Sequence, residues 1–254
     1  MRLGHGTKGM LYGLIGLFAI HDLRFDQPMV AGSDEILLSL GQHPMGSLML
    51  ITLAIGLLGY VLWRFVQASL NPGHSDQLSP RRLLQRSGYG LSGCTYLGIA
   101  YTAAKLPLDL AVDFNDTLED VAEVLFEYTI GPWLLLVGGL AVVGIGLTYV
   151  YGAIGGGYIN DFRRDMNSPV KRWVVGLGKV GISARGVSFV LIGGYLMKAA
   201  YFLEDDAAGG LGKVFDQLDD HPVGEVWLGA IAVGFIAYAI YMVVAACYRR
   251  FPYL

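Results

Sequence analysis

Charge is what this chain has least of. Only 15% of its 254 residues are charged, 54% are hydrophobic, and mean hydropathy is +0.50. A soluble domain carries roughly a quarter charged residues. Apolar surface on this scale must face something other than water, and lipid is the expected solvent. The net charge of −3 excludes the basic footprint of a nucleic-acid binder. Cysteine is nearly missing. Cys94 and Cys247 form no CxxC and no ligand-like cluster, so no metal site is expected, and both read as small buried thiols inside apolar runs. Carboxylates are absent from the centres of those runs, which argues against a proton-coupled carrier. There is no P-loop, HExxH or GxSxG, and no nucleophile–base pair is visible. The chain therefore reads as non-enzymatic, with no cofactor.

Long apolar runs and glycine are abundant. Runs recur at Gly9–Ile20, Met45–Trp63, Tyr89–Ala104, Ile130–Ile159, Gly186–Leu203 and Val226–Cys247. A bilayer core takes about 20 helical residues. The second, fourth and sixth runs meet this, and the others span with their glycine-rich starts and snorkelling ends. Six transmembrane helices are expected, the fourth ending at Gly155-Gly156-Gly157. No cleavage pattern follows the basic start Met1–Lys8, so the first run is expected to be retained. The segments that would share a side with both termini hold 14 of the 18 Lys/Arg and 3 of the 21 Asp/Glu. The positive-inside rule places that side, and both termini, in the cytoplasm. Of the outer links, Asp34–Leu40 and Thr117–Phe126 have helical spacing. The acidic stretches Glu204-Asp205-Asp206 and Asp216 to Asp220 read as solvated loops.

The runs are internally related. GHGTKGMLYGLIG from Gly4, SGYGLSGCTYLGIA from Ser87 and VGISARGVSFVLIG from Val180 align. The alignment superposes Gly4, Gly88 and Gly181; Gly9, Gly93 and Gly186; and the aromatics Tyr12, Tyr96 and Phe189. The partner runs from His43, Tyr128 and His221 align in turn, superposing Gly46, Gly131 and Gly224. The chain is one helical hairpin written three times, as a single membrane domain over 1–254. The repeats are 1–70, 86–160 and 179–250, joined by cytoplasmic linkers 71–85 and 161–178. Each copy has an even number of spans, so all three share one orientation. The expected fold is all-α, with pseudo-three-fold symmetry along the membrane normal.

The pattern GYxxxG, then an aromatic and a glycine, with an HPxG…AxGxxxY…W second half, resembles the bacterial DUF1206 family of membrane proteins. Ser87–Ala100, Ala184–Gly193 and Gln42–Trp63 carry the resemblance most clearly. In the first copy His5-Gly6-Thr7 lacks the family's Arg-Gly pair, which Lys8-Gly9 partly replaces. The resemblance implies the three-hairpin fold and no particular activity.

Three sets of residues are candidates for a role. His21, Lys105 and Lys198 share a register near the outer ends of the odd-numbered helices. Each is followed by acidic residues: Asp22, Asp109, and Glu204 with Asp205. A charge at the bilayer centre costs about 2.5–3.5 kcal/mol, and near a helix end a lysine escapes most of it by snorkelling. Either that, or convergence on an anion or lipid headgroup, fits the register. Lys8 and Arg185, aligned with Ser92, read as contacts to cytoplasmic lipid phosphates, with hydrogen bonding to a neighbouring helix as the alternative for Arg185. Gly9, Gly13, Gly93, Gly186, Gly152 and Gly156 read as helix-packing positions. His43, His221 and Tyr128 match in register and read as turn or capping groups rather than metal ligands. The function that fits is an accessory or scaffold subunit of the bacterial inner membrane. Its expected partners are the lipid bilayer, a membrane-protein complex or further copies of itself. The alternative is a channel or carrier for a small solute or anion along the pseudo-axis.

Overall fold

A computed structural model describes residues 2–25, 33–70, 80–108, 110, 117–156, 168–204, 208–219 and 224–248. Among the described residues there are helices and no strands. The helices are α1 (Arg2–Phe25), α2 (Ser33–Gly41), α3 (Gly46–Leu70), α4 (Pro80–Lys105), α5 (Thr117–Phe126), α6 (Gly131–Gly155), α7 (Ser168–Phe202), α8 (Leu211–Asp219) and α9 (Gly224–Tyr248), with a 3-10 turn at Leu106–Leu108. Four stretches are long and apolar enough to cross a membrane: Gly46–Leu70, Gly131–Gly155, Lys171–Phe202 and Gly224–Tyr248. At 24 and 26 residues, α1 and α4 are as long as these. Both are less apolar, because each carries several cations.

The ends of the helices follow local rules. Pro132 stands in the first turn of α6, where its missing N–H costs nothing. At the other end Gly156 adopts φ 68° and its N–H donates to the Gly152 carbonyl, as a glycine C-cap does. Gly46 and Gly131 open α3 and α6 directly against the ends of α2 and α5. A Cβ at Gly46 would strike the Leu40 carbonyl, and one at Gly131 the Leu125 carbonyl. The turns leading in are equivalent. Gly46 N–H donates to His43 O and Gly131 N–H to Tyr128 O, both at 2.8 Å.

Three points differ from the sequence reading. The helices reach into the linkers, α4 from Pro80 and α7 from Ser168. Part of the acidic stretch before the last span is the helix α8, whose Val214 and Phe215 are fully buried. Phe215 lies edge-on to Phe235 of α9, so this stretch caps the core. Cys94 and Cys247 are exposed, not buried.

The most extensive packing joins successive hairpins: α3 lies along α4, α6 along α7, and α9 along α1. Two of these interfaces use aligned small residues seven apart on both helices. At α6–α7, Gly139 and Gly146 face Gly193 and Gly186; a Cβ on Gly146 would stand 2.6 Å from Gly186 O, and one on Gly193 2.5 Å from Gly139 O. At α1–α9 the same positions are Gly9 and Gly16 against Ala239 and Ala232. At α3–α4 the aligned positions are Gly93 and Ala100 on α4 and Ala54 and Val61 on α3, all buried, and a Cβ on Gly93 would meet the Phe65 ring at 3.1 Å. In lipid no hydrophobic force drives helices together, so close backbone approach and dispersion carry such contacts.

Packing within a hairpin is less even. α1 packs on α3 and α7 on α9, whereas α4 and α6 do not lie along each other. Aligned residues explain this. Thr7 of α1 fills the space over Gly56 of α3, and Ala184 of α7 fills that over Gly234 of α9, so closely that neither glycine has room for a Cβ. By alignment the corresponding residues of the middle hairpin are Leu91 and Ala141, so the pairing of a small residue with a glycine does not recur there. Gly4 and Gly181 are buried against Tyr60 and Tyr238, while Gly88 is exposed with nothing within 4 Å. Ala141 is exposed as well.

Candidate functional site

The apolar face of α1 contains a cation. Lys8, Leu11, Ile15, Ala19 and Asp22 follow each other at helical spacing, and all five are buried. On α7 the same spacing carries Arg185, Ser188, Ile192, Leu196 and Ala199, with Arg185 only 5% exposed. Lys8 is 3% exposed. Both cations therefore point into the bundle, away from a lipid-facing surface. Their side chains, not helix backbones, fill the space between α1, α4 and α7.

Tyrosines surround them. Lys8 Nζ donates to the Tyr60 hydroxyl at 3.3 Å and lies 5.0 Å from the Tyr96 ring and 5.1 Å from the Tyr60 ring. Arg185 donates through Nη1 to the Tyr238 hydroxyl at 2.8 Å. Its guanidinium lies 5.0–5.5 Å from the rings of Tyr149, Phe189, Tyr12 and Tyr238. Arg64, one turn beyond Tyr60, also donates to the Tyr60 hydroxyl, through Nε at 2.7 Å. The Tyr96 hydroxyl donates to that of Tyr12 at 3.3 Å.

The two cation sites are copies of one design. Each cation binds the tyrosine of its own hairpin's second helix, Tyr60 or Tyr238. Each also sits on the aromatic of the next hairpin's first helix, Tyr96 for Lys8 and Tyr12 for Arg185. The tyrosines pair identically: Tyr60 with Tyr96 at 4.9 Å and 77°, Tyr238 with Tyr12 at 4.9 Å and 78°. Edge-to-face pairs at this distance add about 0.5–1.5 kcal/mol each. The third copy would use Ser92, Ile145 and Phe189. It has no cation and neither aromatic hydroxyl, and it falls on the open side between α4 and α6.

The charge balance is one-sided. Among the described residues the only buried acid is Asp22. It lies fourteen positions further along α1, about 21 Å at 1.5 Å per residue, and takes a contact from His21 Nδ1 at 3.1 Å. No carboxylate faces Lys8 or Arg185 among the described residues. Arg185 Nε is buried and has no hydrogen-bond partner. A cation over a desolvated aromatic face gains about 2 kcal/mol. The rings thus offset part of a desolvation cost of several kcal/mol per ion, and they leave the charge itself uncancelled.

The other candidates are elsewhere. His21 is 60% exposed beside Asp22, Lys105 lies 4.9 Å over the Tyr101 ring, and Lys198 is exposed. No contact joins the three among the described residues. Asp109 and Asp205, expected beside them, lie outside the described residues. Gly9, Gly13, Gly93 and Gly186 stand against neighbouring helices, whereas Gly152 has open space and Gly156 is the cap of α6. His43 Nδ1 donates to Ser39 O at 3.0 Å, one turn back; His221 lies outside the described residues. No group of three metal-ligating side chains converges among the described residues. A surface groove of about 380 Å³ between α7 and α9, lined by Lys179, Ser183, Ala184, Trp227 and Ile231 among others, is mostly apolar.

Comparison with known proteins agrees with the repeat. The family described as Domain of Unknown Function (DUF1206) matches residues 3–70, 87–156 and 180–249. The chain belongs to the DUF1206 family. It is also similar to the uncharacterized protein YxxB of Bacillus subtilis (strain 168), at 27% identity over 98% of this chain and 90% of the relative. No solved structure matches. This DUF1206 chain is thus a three-repeat helical protein with membrane-like helices. Its cation–tyrosine centre joins residues that the sequence reading placed apart. The signal was available, since Lys8 and Arg185 each interrupt a buried apolar stripe at the same register.

Proposed function

We propose that the protein is a non-enzymatic accessory or scaffold subunit of the bacterial inner membrane, and that its α4–α6 side receives a helix of a partner membrane protein. In this reading α1 and α4 complete a set of six spans. The three hairpins surround a pseudo-three-fold axis along the membrane normal, and both termini are cytoplasmic. The length of α1 and α4 and their packing along α9 and α3 support six spans. The skewed distribution of Lys/Arg supports the orientation. The observation that carries the accessory role is the unfilled side of the middle hairpin, where Gly88, Thr95 and Ala141 are exposed while the aligned residues of the other hairpins are buried. A photo-crosslinking residue at Thr95 or Ala141, activated in native membranes, should give a discrete protein adduct that the same probe at exposed Val233 does not. Adducts only to lipid from both positions would sink the reading.

A second reading, a channel or carrier for a small anion along the axis, draws support from the two buried cations. Anion flux in liposomes, lost in Arg185→Gln, would favour it over the first.

A further inference from the structure

Lys8 and Arg185 come from different hairpins and meet the same ring of tyrosines. Lys8 touches Tyr60 and Tyr96, and Arg185 touches Tyr12 and Tyr238. Tyr12 links the two halves, through its hydroxyl to Tyr96 and through its ring to Tyr238. A guanidinium stays charged in any protein environment, and a charge taken out of water needs a partner of opposite sign. Among the described residues this centre supplies none.

The hydrogen-bond directions point to what is missing. The Tyr60 hydroxyl accepts from Lys8 and Arg64, and the Tyr238 hydroxyl accepts from Arg185. Each then keeps its own hydrogen to donate. The Tyr12 hydroxyl accepts from Tyr96 and is in the same position. Arg185 Nε is a further buried donor with no acceptor. A lysine, an arginine, several hydroxyls with a hydrogen to donate and an orphaned N–H, with no carboxylate among the described residues, form a cluster rich in donors. Its complement is an acceptor-only anion, and a planar guanidinium fork favours an oxyanion. In the third copy Ser92 is half-buried, and it replaces a long cation beside the open α4–α6 side.

We infer that Lys8 and Arg185, with the hydroxyls of Tyr12, Tyr60 and Tyr238, form a binding site for a phosphate-type oxyanion, either free or as a lipid headgroup. The site stands apart from the accessory role, because it rests on the cation cluster and not on a protein partner at α4–α6.

The test uses the full chain, purified in a neutral, phosphate-free detergent and stripped of lipid. Its unfolding midpoint is followed against inorganic phosphate, a short-chain phosphatidylglycerol, and sodium chloride at matched ionic strength. Phosphate or the lipid should raise the midpoint saturably where chloride does not. A response to both probes indicates a free oxyanion site, and a response to the lipid alone indicates a headgroup site. Arg185→Gln and Lys8→Met should each weaken half-saturation at least tenfold, while Arg185→Lys retains part of the response. Should Arg185→Gln not fold, Lys8→Met and Arg185→Lys give the same reading. No response in the wild type, one matched by chloride, or one unchanged in the variants overturns the inference.

Discussion

The outer two hairpins and the middle one are built on one pattern and pack differently. In the first and third, glycine on the second helix meets a small residue on the first, and the pair closes around a cation held by tyrosine. In the middle one, Leu91 and Ala141 stand where Thr7 and Gly56 stand in the first, and α4 and α6 stay apart. The hairpin that loses the close contact also loses the polar centre, since Ser92, Ile145 and Phe189 replace cation, tyrosine and tyrosine. Closure and buried charge thus go together. The middle hairpin lacks the small-residue and glycine pair, and an open hairpin has no sealed interior in which a cation would need its ring of hydroxyls.

Glycine substitutions break the comparison most sharply. Gly181→Ala drives a methyl into the Tyr238 backbone. It should cost about 3 kcal/mol, the upper range for overpacking, in reversible unfolding in detergent. The aligned Gly88→Ala meets nothing and should be neutral or stabilise by up to about 1 kcal/mol through helix propensity. Equal effects at the two sites would mean that the middle hairpin closes in the membrane.

The interfaces between hairpins come next. Gly193→Ala places a Cβ against Gly139 O and should cost about 2 kcal/mol in the same assay, with Gly152→Ala near zero as its control. Tyr238→Phe removes the hydroxyl that accepts from Arg185 while keeping the ring. It should cost about 1.5–2 kcal/mol, as expected for a hydrogen bond to a charged group, and Tyr149→Phe much less, because Tyr149 meets Arg185 through its ring.

The smallest change in stability should bring the most informative change in shape. Leu91→Thr with Ala141→Gly gives the middle hairpin the first hairpin's contact pair, at a cost of about 1 kcal/mol for the added glycine. With Cys94 and Cys247 replaced by serine, cysteines at positions 88 and 145 should then form a disulfide on mild oxidation. In the parent they should not, since a disulfide needs Cα atoms within about 7 Å. A crosslink of equal yield in both would separate the openness of α4–α6 from these two residues.

Much of this architecture was legible along the chain, and the misses share a cause. Helix positions followed from apolar run length, and the end of α6 from Gly155-Gly156-Gly157. Periodicity within the acidic link marked α5. α8 was legible too, since Leu211, Val214, Phe215 and Leu218 fall at helical spacing, but its acidic residues read as a loop, and only packing against α9 shows that Val214 and Phe215 are interior. The exposure of Cys94 and Cys247 inverted the sequence reading for a related reason. In lipid an apolar environment does not imply burial within the protein, so run membership says nothing about which face a residue takes. Lys8 and Arg185 posed the same problem in reverse: a cation near a helix end reads as a surface anchor until the neighbouring helices are in place.

By itself the sequence determined the helices, their triplication and the equivalence of aligned positions, because each depends on residue spacing along one chain. Only the tertiary structure decided which helices touch. The first and third hairpins close and the middle one does not, because the outcome depends on whether two side chains far apart in sequence fit the same few ångströms of space. It also decided that the two cations are interior, for burial is a property of what surrounds a side chain. Spacing supplied the positions, and steric fit between helices selected which of three nominally equal corners received the charge.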